Sequence, residues 1–189
     1  NGLKDLLERN VDTEGMRYPI IHLRGEDIEI AMTHGQQYGE EYYSFVNGQH
    51  TTQGGTHQSA LKEHIARTIK EFYNKNQEYS DIRNGIVAAI ALDVEEPMFE
   101  SQTKTKLGNS EVQGAVQQAV NEALSYYLEE HPTEAKQICE KVVLAATARI
   151  AARKARESVQ RKTVMTGGGL PGKLADCSNK DPKNCEIFL

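Results

Sequence analysis

Residues 99–112, Phe-Glu-Ser-Gln-Thr-Lys-Thr-Lys-Leu-Gly-Asn-Ser-Glu-Val, form a polar stretch between two apolar parts of the chain. Before it, the run 82–94 is apolar, contains Gly85 and several β-branched residues, and predicts a buried strand in its second half. After it, Ser110 and Gln113 have the spacing of a capping box, which predicts the start of a helix. Residues 101–109 within this stretch are therefore predicted to be a loop, with mixed strands and helices before it and helices after it.

Upstream of this loop, short apolar segments separated by turns predict a small sheet with one crossover helix. The helix is predicted at 58–74, where Leu61, Ile65 and Ile69 recur at intervals of four residues. The other predicted elements are a short helix at 1–10 and strands at 18–23, 28–34 and 42–47. Because the early connections are short, neighbouring strands are expected to be antiparallel, and the predicted fold class is α+β.

Downstream of the loop, the pattern predicts two long helices, at 110–130 and 133–163. His131-Pro132 separates them, because proline cannot continue a helix. Three consecutive glycines at 167–169 predict a hinge, and 170–174 begins a new unit. The sequence therefore predicts one α+β domain that is extended by helices and followed by the beginning of a second domain.

The 189 residues carry a net charge of −5 that is unevenly distributed. The segment 141–173 has eight Lys or Arg and one acid, a net charge of +7, which leaves −12 for the rest of the chain. A basic segment on an acidic body suits contact with a polyanion, and an ordinary solvated helix face is the alternative. The cations that share or border one predicted helix face, as phosphate contacts would require, are Arg149, Arg153, Lys154, Arg156 and Arg161.

The composition disfavours several classes of protein. No apolar run approaches the roughly 18 residues of a membrane span, so no membrane association is expected. The three cysteines are too scattered for a disulfide scaffold, and no secretory leader is evident, so a reducing cytoplasm is expected. The chain begins with Asn1 and ends on the apolar run 187–189, which would leave a strand unpaired, so we expect a fragment of a longer protein.

The polar loop and a glycine-rich turn are the candidate sites of chemistry. Lys104 on a loop can reach a phosphate as a compact charge, with Gln102 orienting it, although spacing alone favours an ordinary solvated loop. The turn 54–57, Gly-Gly-Thr-His, could hold an anion at the start of a helix. A tight turn with Thr56 as the helix cap is the favoured alternative for this segment.

These residues resemble the B subunits of bacterial type IIA DNA topoisomerases, the group that comprises gyrase B and topoisomerase IV B. The stretch 99–112 and the stretch 170–178, Leu-Pro-Gly-Lys-Leu-Ala-Asp-Cys-Ser, are long and specific. Three shorter strings extend the resemblance over nearly the whole chain: 43–47, 54–57 and 151–157. The motifs are shared by gyrase and topoisomerase IV, so the choice between them stays open. The stretch leading into residue 178 argues against a mismatch-repair ATPase.

The resemblance implies a fold and two domains. Residues 1–165 are expected to form the transducer domain of the GHKL topoisomerases, with a four-stranded sheet, a left-handed β-α-β crossover and long helices. Residues 166–189 are expected to contain the hinge and the first strand of a TOPRIM domain. The nucleotide-binding domain, the Mg²⁺ carboxylates of TOPRIM and the DNA-cleaving tyrosine are expected outside this sequence.

The resemblance also implies an activity, an ATP-dependent type IIA DNA topoisomerase whose isolated fragment is inactive. Gln102 and Lys104 are expected to contact the γ-phosphate of ATP, Lys104 as a catalytic residue, and the basic helix to contact duplex DNA. ATP and Mg²⁺ are expected in the full-length protein and neither in this fragment alone. The expected partners are double-stranded DNA, the DNA-cleaving A-type subunit in an A2B2 heterotetramer, and a second copy of the B-type subunit on ATP binding. The alternative is a structural transducer and dimerisation module without nucleotide contact.

Overall fold

A computed structural model describes residues 2–73 and 77–166, with side chains as far as residue 159 except that of Thr13. The predicted glycine hinge and the predicted TOPRIM strand at 167–189 lie outside the described residues. The described elements, in chain order, are α1 (Leu3–Asn10), a 3₁₀ turn (Thr13–Gly15), β1 (Ile21–Arg24), β2 (Ile28–His34), β3 (Glu41–Val46), β4 (Gln49–His50), α2 (Thr56–Tyr73), α3 (Tyr79–Arg83), β5 (Ile86–Leu92), α4 (Val112–Glu130) and α5 (Pro132–Thr166).

The sheet has β5 at its centre, in the strand order β1-β2-β5-β3-β4. Ile90 of β5 lies opposite Ile30 of β2 in an antiparallel pair and opposite Ser44 of β3 in a parallel pair. The predicted α+β class is confirmed, and the chain crosses from β3 through α2 and α3 to β5. The expectation that neighbouring strands are antiparallel is confirmed for β1 and β2 and wrong for β2 and β3, since β5 is inserted between them. The predicted left hand of the crossover stays a prediction.

The prediction of a four-stranded sheet is wrong, because the described sheet has five strands. The additional strand is β4, a two-residue strand that pairs with the end of β3 through Phe45 and His50. Asn47 and Gly48 form the turn between them, with φ values of 49° and 75°. Asn-Gly is the sequence that a tight hairpin turn favours, and the polar composition of 48–55 concealed that signal.

The two faces of β5 are buried in different cores, which explains its uninterrupted apolar sequence. Ile86, Ala88 and Ile90 face the larger core, together with residues of α2, α4 and the start of α5. Val87 and Ala89 face a smaller core that contains Leu3 and Leu7 of α1. Alternation with a period of two therefore places α1 on one side of the sheet and the longer helices on the other.

The long helices begin close to the predicted positions but are capped differently. The side chains of Ser110 and Gln113 form no capping box, since the amide of Gln113 instead donates to the backbone oxygen of Ser110 at 3.2 Å. Helix α4 packs on α2 through a buried row spaced by four residues, Val112, Val116, Val120, Leu124 and Leu128. Helix α5 begins at Pro132, where a proline costs no hydrogen bond.

The chain divides into two compact units, residues 1–147 and 148–189. The first unit contains the whole sheet. In the second unit, the residues up to 166 are described and are helical. The predicted domain boundary at residue 165 stays a prediction. Among the described residues, no helix is both long enough and apolar enough to cross a membrane.

Candidate functional site

The polar stretch of the sequence forms a loop with a paired stem, residues 98–108. The amide of Gly108 donates to the carbonyl of Met98 at 2.8 Å, and the amide of Glu100 donates to the carbonyl of Lys106 at 3.0 Å. Leu107 of the stem is fully buried in the larger core. The stem therefore joins an exposed tip to the packed interior of the domain.

A tight turn at the tip exposes both residues that the resemblance singled out. The amide of Lys104 donates to the carbonyl of Ser101 at 3.1 Å, and Lys104 has a φ of 53°, in the left-handed region. The hydroxyl of Thr103 lies 2.7 Å from that of Ser101. The side chains of Gln102 and Lys104 are exposed and take no part in this hydroxyl contact. The structure thus brings Gln102 and Lys104 together at one tip.

The two lysines of the loop have different surroundings. Lys106 Nζ lies 2.8 Å from Glu100 Oε2, so its charge is partly neutralised within the stem. Lys104, by contrast, makes no ion pair with any residue in the part of the chain that the structure describes. The cation at the tip is therefore available to an anion outside the described residues, whereas the cation on the stem already has a partner.

Asn109 closes the base of the loop and was not singled out by sequence reasoning. Its side-chain oxygen accepts from the amide of Met98 at 2.6 Å, and its side-chain nitrogen donates to the carbonyl of Glu96 at 3.1 Å. Asn109 is fully buried, where satisfied polar groups fix backbone geometry. A buried asparagine side chain can bind polar groups of the backbone. In the sequence, only the position of Asn109 directly after Leu-Gly could have indicated this role.

The loop rests on the glycine-rich turn that precedes α2. The amide of Gln53 donates to the carbonyl of Thr105 at 2.9 Å, and the amide of Leu107 donates to the carbonyl of Gly54 at 3.1 Å. The amide of Thr56 donates to the carbonyl of Leu107 at 3.0 Å. These bonds join two segments that are about fifty residues apart in the sequence, which no local pattern could predict.

The turn 54–57 therefore supports the loop, and two of its four amides are already used within the domain. The amides of Gly54 and Thr56 already donate to Thr51 and Leu107, so neither is free to bind an anion. Thr56 is the first residue of α2, and its buried hydroxyl has no hydrogen-bond partner among the described residues, so the predicted cap is not formed. Burial lowers the pKa of His57 to about 4, so this histidine is neutral at physiological pH.

The predicted phosphate-binding cations lie on α5, in the second unit. Arg153, Lys154 and Arg156 are exposed, and Arg149 is half-buried. Arg153 Nε lies 3.0 Å from Glu157 Oε1, an i,i+4 pair. Arg161 is in the helix, but its side chain lies outside the described residues. Among the described side chains, no group of three His, Cys, Asp or Glu could hold a metal ion.

Comparisons with known proteins identify the family. A family model for DNA gyrase B matches residues 2–158. The DNA gyrase B protein of Cytophaga aurantiaca is 52% identical over 171 residues, which cover 86% of this chain and 36% of that protein. The DNA gyrase B protein of Eisenibacter elegans is 48% identical over 202 residues, covering 100% of this chain and 42% of that protein. The chain thus spans well under half the length of these relatives.

Solved structures agree with the sequence relatives. The 43K ATPase domain of Thermus thermophilus gyrase B, crystallised with an aminocoumarin, has a TM-score of 0.75 and 32% identity, covering 82% of this chain and 46% of that one. The topoisomerase IV ATP-binding domain of Francisella tularensis has a TM-score of 0.60 and 30% identity, covering 79% of this chain and 43% of that one. Taken with the family model over 2–158, these matches show that the chain belongs to the DNA gyrase B family.

Proposed function

We propose that this chain is the transducer region of the ATP-hydrolysing subunit of a type II DNA topoisomerase. In this proposal the loop 98–108 reaches into a nucleotide-binding domain that lies outside this sequence. Lys104 Nζ and the side-chain amide of Gln102 would donate hydrogen bonds to the γ-phosphate oxygens of ATP. ATP with its Mg²⁺, held by that other domain, supplies the phosphoryl chemistry.

One observation carries the proposal, which is the contrast between the two loop lysines. Lys104 is held at the tip by a turn and has no ion-pair partner among the described residues, whereas Lys106 is paired with Glu100. A lysine ammonium is a compact donor that suits a phosphate, and Gln102 supplies a neutral donor beside it. The donor set therefore fits a terminal phosphate group that carries several negative charges.

The same geometry supports a coupling mechanism. While ATP is bound, Lys104 has an anionic partner, and its stem transmits that constraint through Leu107 to the core of the domain. After hydrolysis and release, Lys104 loses that partner and the loop is no longer held. A ligand that binds one arrangement better than another shifts the equilibrium by its difference in affinity, so ATP would bias the domain between two states.

The basic part of α5 supports a second contact, with duplex DNA. Contacts with DNA phosphates require several cations along one surface and do not depend on the base sequence. The cations proposed for this contact are Arg149, Arg153, Lys154, Arg156 and Arg161. In the complete enzyme we propose an A2B2 assembly with the DNA-cleaving A-type subunit, self-association of the B-type subunits on ATP binding, and a cytoplasmic location. The relatives that carry this inference are DNA gyrase B proteins.

Replacing Lys104 by alanine in the full-length protein tests the proposal, with Lys106→Ala as the matched control. Removing one preorganised electrostatic donor lowers kcat about 10²- to 10³-fold, so Lys104→Ala should do so in an ATPase assay with the A-type subunit and DNA. Affinity for a non-hydrolysable ATP analogue should change much less. Lys106→Ala should retain kcat within about threefold, because its charge is already paired.

An unchanged kcat for Lys104→Ala would favour the alternative function, a structural transducer and dimerisation module. In that case a photo-crosslinking nucleotide should also fail to label the tip of the loop in the ATP-bound dimer. Labelling at Lys104 together with a lowered kcat supports the nucleotide contact.

A further inference from the structure

We propose that the turn 51–57 is the seat of the loop 98–108 and that Gly55 is a positioning residue for Lys104. This inference rests on the proposed contact between Lys104 and a phosphate. It identifies, in addition, the residue that determines the position of that lysine. Gly55 would act through the backbone of Leu107, without touching the nucleotide itself.

The approach of the two segments leaves no room for a side chain at residue 55. A Cβ atom on Gly55 would lie 2.4 Å from the carbonyl oxygen of Leu107 and 2.6 Å from its amide nitrogen. The backbone of Gly55 also has a φ of 141°, which L-residues rarely adopt. Because the atoms it would meet belong to the backbone, no rotamer change relieves the collision, and the stem itself would have to move.

Hydrogen bonds on both sides of Gly55 hold the stem against the turn. The amide of Leu107 donates to Gly54, and the carbonyl of Leu107 accepts from Thr56, at 3.1 Å and 3.0 Å. One residue pair further along, Gln53 donates to Thr105 at 2.9 Å. The contact therefore continues to within one residue of Lys104, and a displacement at Gly55 is passed to the tip.

The seat is in turn fixed to the sheet. The amide and the hydroxyl of Thr51 both donate to the carbonyl of Ser44, each at 2.8 Å. The amide of Gly54 donates to the carbonyl of Thr51 at 2.9 Å, and Ser44 lies opposite Ile90 of the central strand. The position of Lys104 is thus fixed, through these hydrogen bonds, by the buried central part of the sheet and not by the loop alone.

The test substitutes Gly55→Ala in the full-length protein, with Gly48→Ala as the matched control. Gly48 also has a positive φ, 75°, but a Cβ atom there meets no atom within 4 Å. Both variants therefore carry backbone strain, and only Gly55→Ala pushes on the loop. Since a misplacement of about 1 Å can cost about 10²-fold in rate, Gly55→Ala should lower kcat by about 10- to 100-fold with little change in affinity for an ATP analogue. Gly48→Ala should change kcat by less than about threefold.

A double variant separates this inference from the proposed function. If Gly55 acts only through Lys104, Gly55→Ala combined with Lys104→Ala should be no slower than Lys104→Ala alone. A multiplicative loss would overturn the positioning role while leaving the proposed function standing. An unchanged kcat for Lys104→Ala alone would instead refute the proposed function.

A second variant covers the case in which Gly55→Ala does not fold. Thr51→Val keeps the volume of the side chain and removes the hydroxyl that anchors the seat to β3, so kcat should fall about three- to tenfold. Hydrogen exchange should show faster exchange of the amides of Gln53 and Leu107 in this variant, with β5 still protected. Normal protection of both amides together with a normal kcat would overturn the inference.

Discussion

The loop 98–108 and the basic part of α5 both present cations to solvent, but they hold them in opposite ways. Lys104 stands on a stem that is bonded to a second segment and anchored by buried Leu107. Arg153, Lys154 and Arg156 are exposed side chains of one helix, and the structure holds none of them on a paired stem. For the contacts proposed above, the difference teaches that a nucleotide contact by the loop would depend on the position of one charge, whereas a DNA contact by α5 would depend on the number of charges.

The largest expected difference comes from exchanging lysine and arginine in both regions. Lys104→Arg keeps the charge but replaces a compact ammonium by a longer planar group, so kcat for ATP should fall about 10- to 100-fold. Arg153→Lys should change DNA affinity by less than about twofold, because a phosphate contact needs charge more than shape. ATPase and filter-binding assays on the full-length protein measure both effects. Full activity of Lys104→Arg would remove the distinction between the regions.

Acid should weaken the seat of the loop and spare the basic helix. The pKa of His57 is about 4 in the folded chain against an ordinary 6.5, so the unfolded chain binds the extra proton between these values. The contribution of neutral His57 to the free energy of unfolding is therefore fully present above pH 6.5. It decreases as the pH falls toward 4, by about 1–2 kcal/mol between pH 7 and 5. Hydrogen exchange, corrected for intrinsic rate, should show this loss in α2 and the loop.

The control for the acid effect is a variant without the buried imidazole. His57→Gln should lose most of the pH dependence in α2, whereas His131→Gln, at an exposed position, should retain it. His34, also buried and with a pKa of about 4, should still contribute the same direction of change in β2. If acid increased the hydrogen exchange of residues 148–159 as much as that of α2, the expected difference between the loop region and the basic helix would be contradicted.

Removing charges from α5 should change the salt dependence of DNA binding by a smaller, countable amount. The combined variant Lys154→Gln and Arg156→Gln should reduce the slope of log affinity against log salt by up to about 1.8, roughly 0.9 for each lost phosphate contact. Lys136→Gln, an exposed lysine paired with Glu140 at 3.9 Å, should leave the slope unchanged. An unchanged slope in the combined variant would mean that these cations do not contact phosphate.

The smallest expected effect concerns the acid that opposes the basic helix. Glu157→Gln removes the pair with Arg153, which should destabilise the helix locally by about 0.3–0.5 kcal/mol. The same change frees one cation, so DNA affinity should rise slightly, by less than about threefold. Hydrogen exchange of α5 and a binding titration measure the two effects, and a loss of DNA affinity would contradict the assigned contact.

Local sequence patterns predicted the helices and strands well where buried residues recur with the period of a helix or a strand. The apolar run 82–94 predicted β5, and the four-residue spacing from Val112 predicted α4, because a buried face imposes its period on the sequence. The partners of the strands could not be predicted in the same way. β5 lies between β2 and β3, and that pairing depends on contacts between segments distant in the sequence.

The residues proposed for the site were named from the sequence, whereas the construction of the loop that carries them was not predictable. The phosphate contact of Gln102 and Lys104 was implied by the family resemblance of the string around them, whereas spacing alone favoured a solvated loop. Nothing in the sequence separated Lys104 from Lys106, since the difference arises from the fold of the stem, which brings Glu100 to Lys106. In the sequence, Gly55 and Asn109 likewise resembled ordinary turn residues. Their roles became visible only from the tertiary contacts of Gly55 with Leu107 and of Asn109 with Met98.

The central place of β5 also affects how the chain can fold during synthesis. The four strands that precede it leave the ribosome first, yet β2 and β3 are joined only through β5 and stay unconnected until residues 86–92 follow. A nascent chain that ends before β5 therefore exposes the inner edges of both strands, which can pair with other chains. The helix α2, formed within this interval, is the segment available to shield one face of that incomplete sheet. A translation pause at any point before residues 86–92 have emerged from the ribosome would lengthen that vulnerable interval.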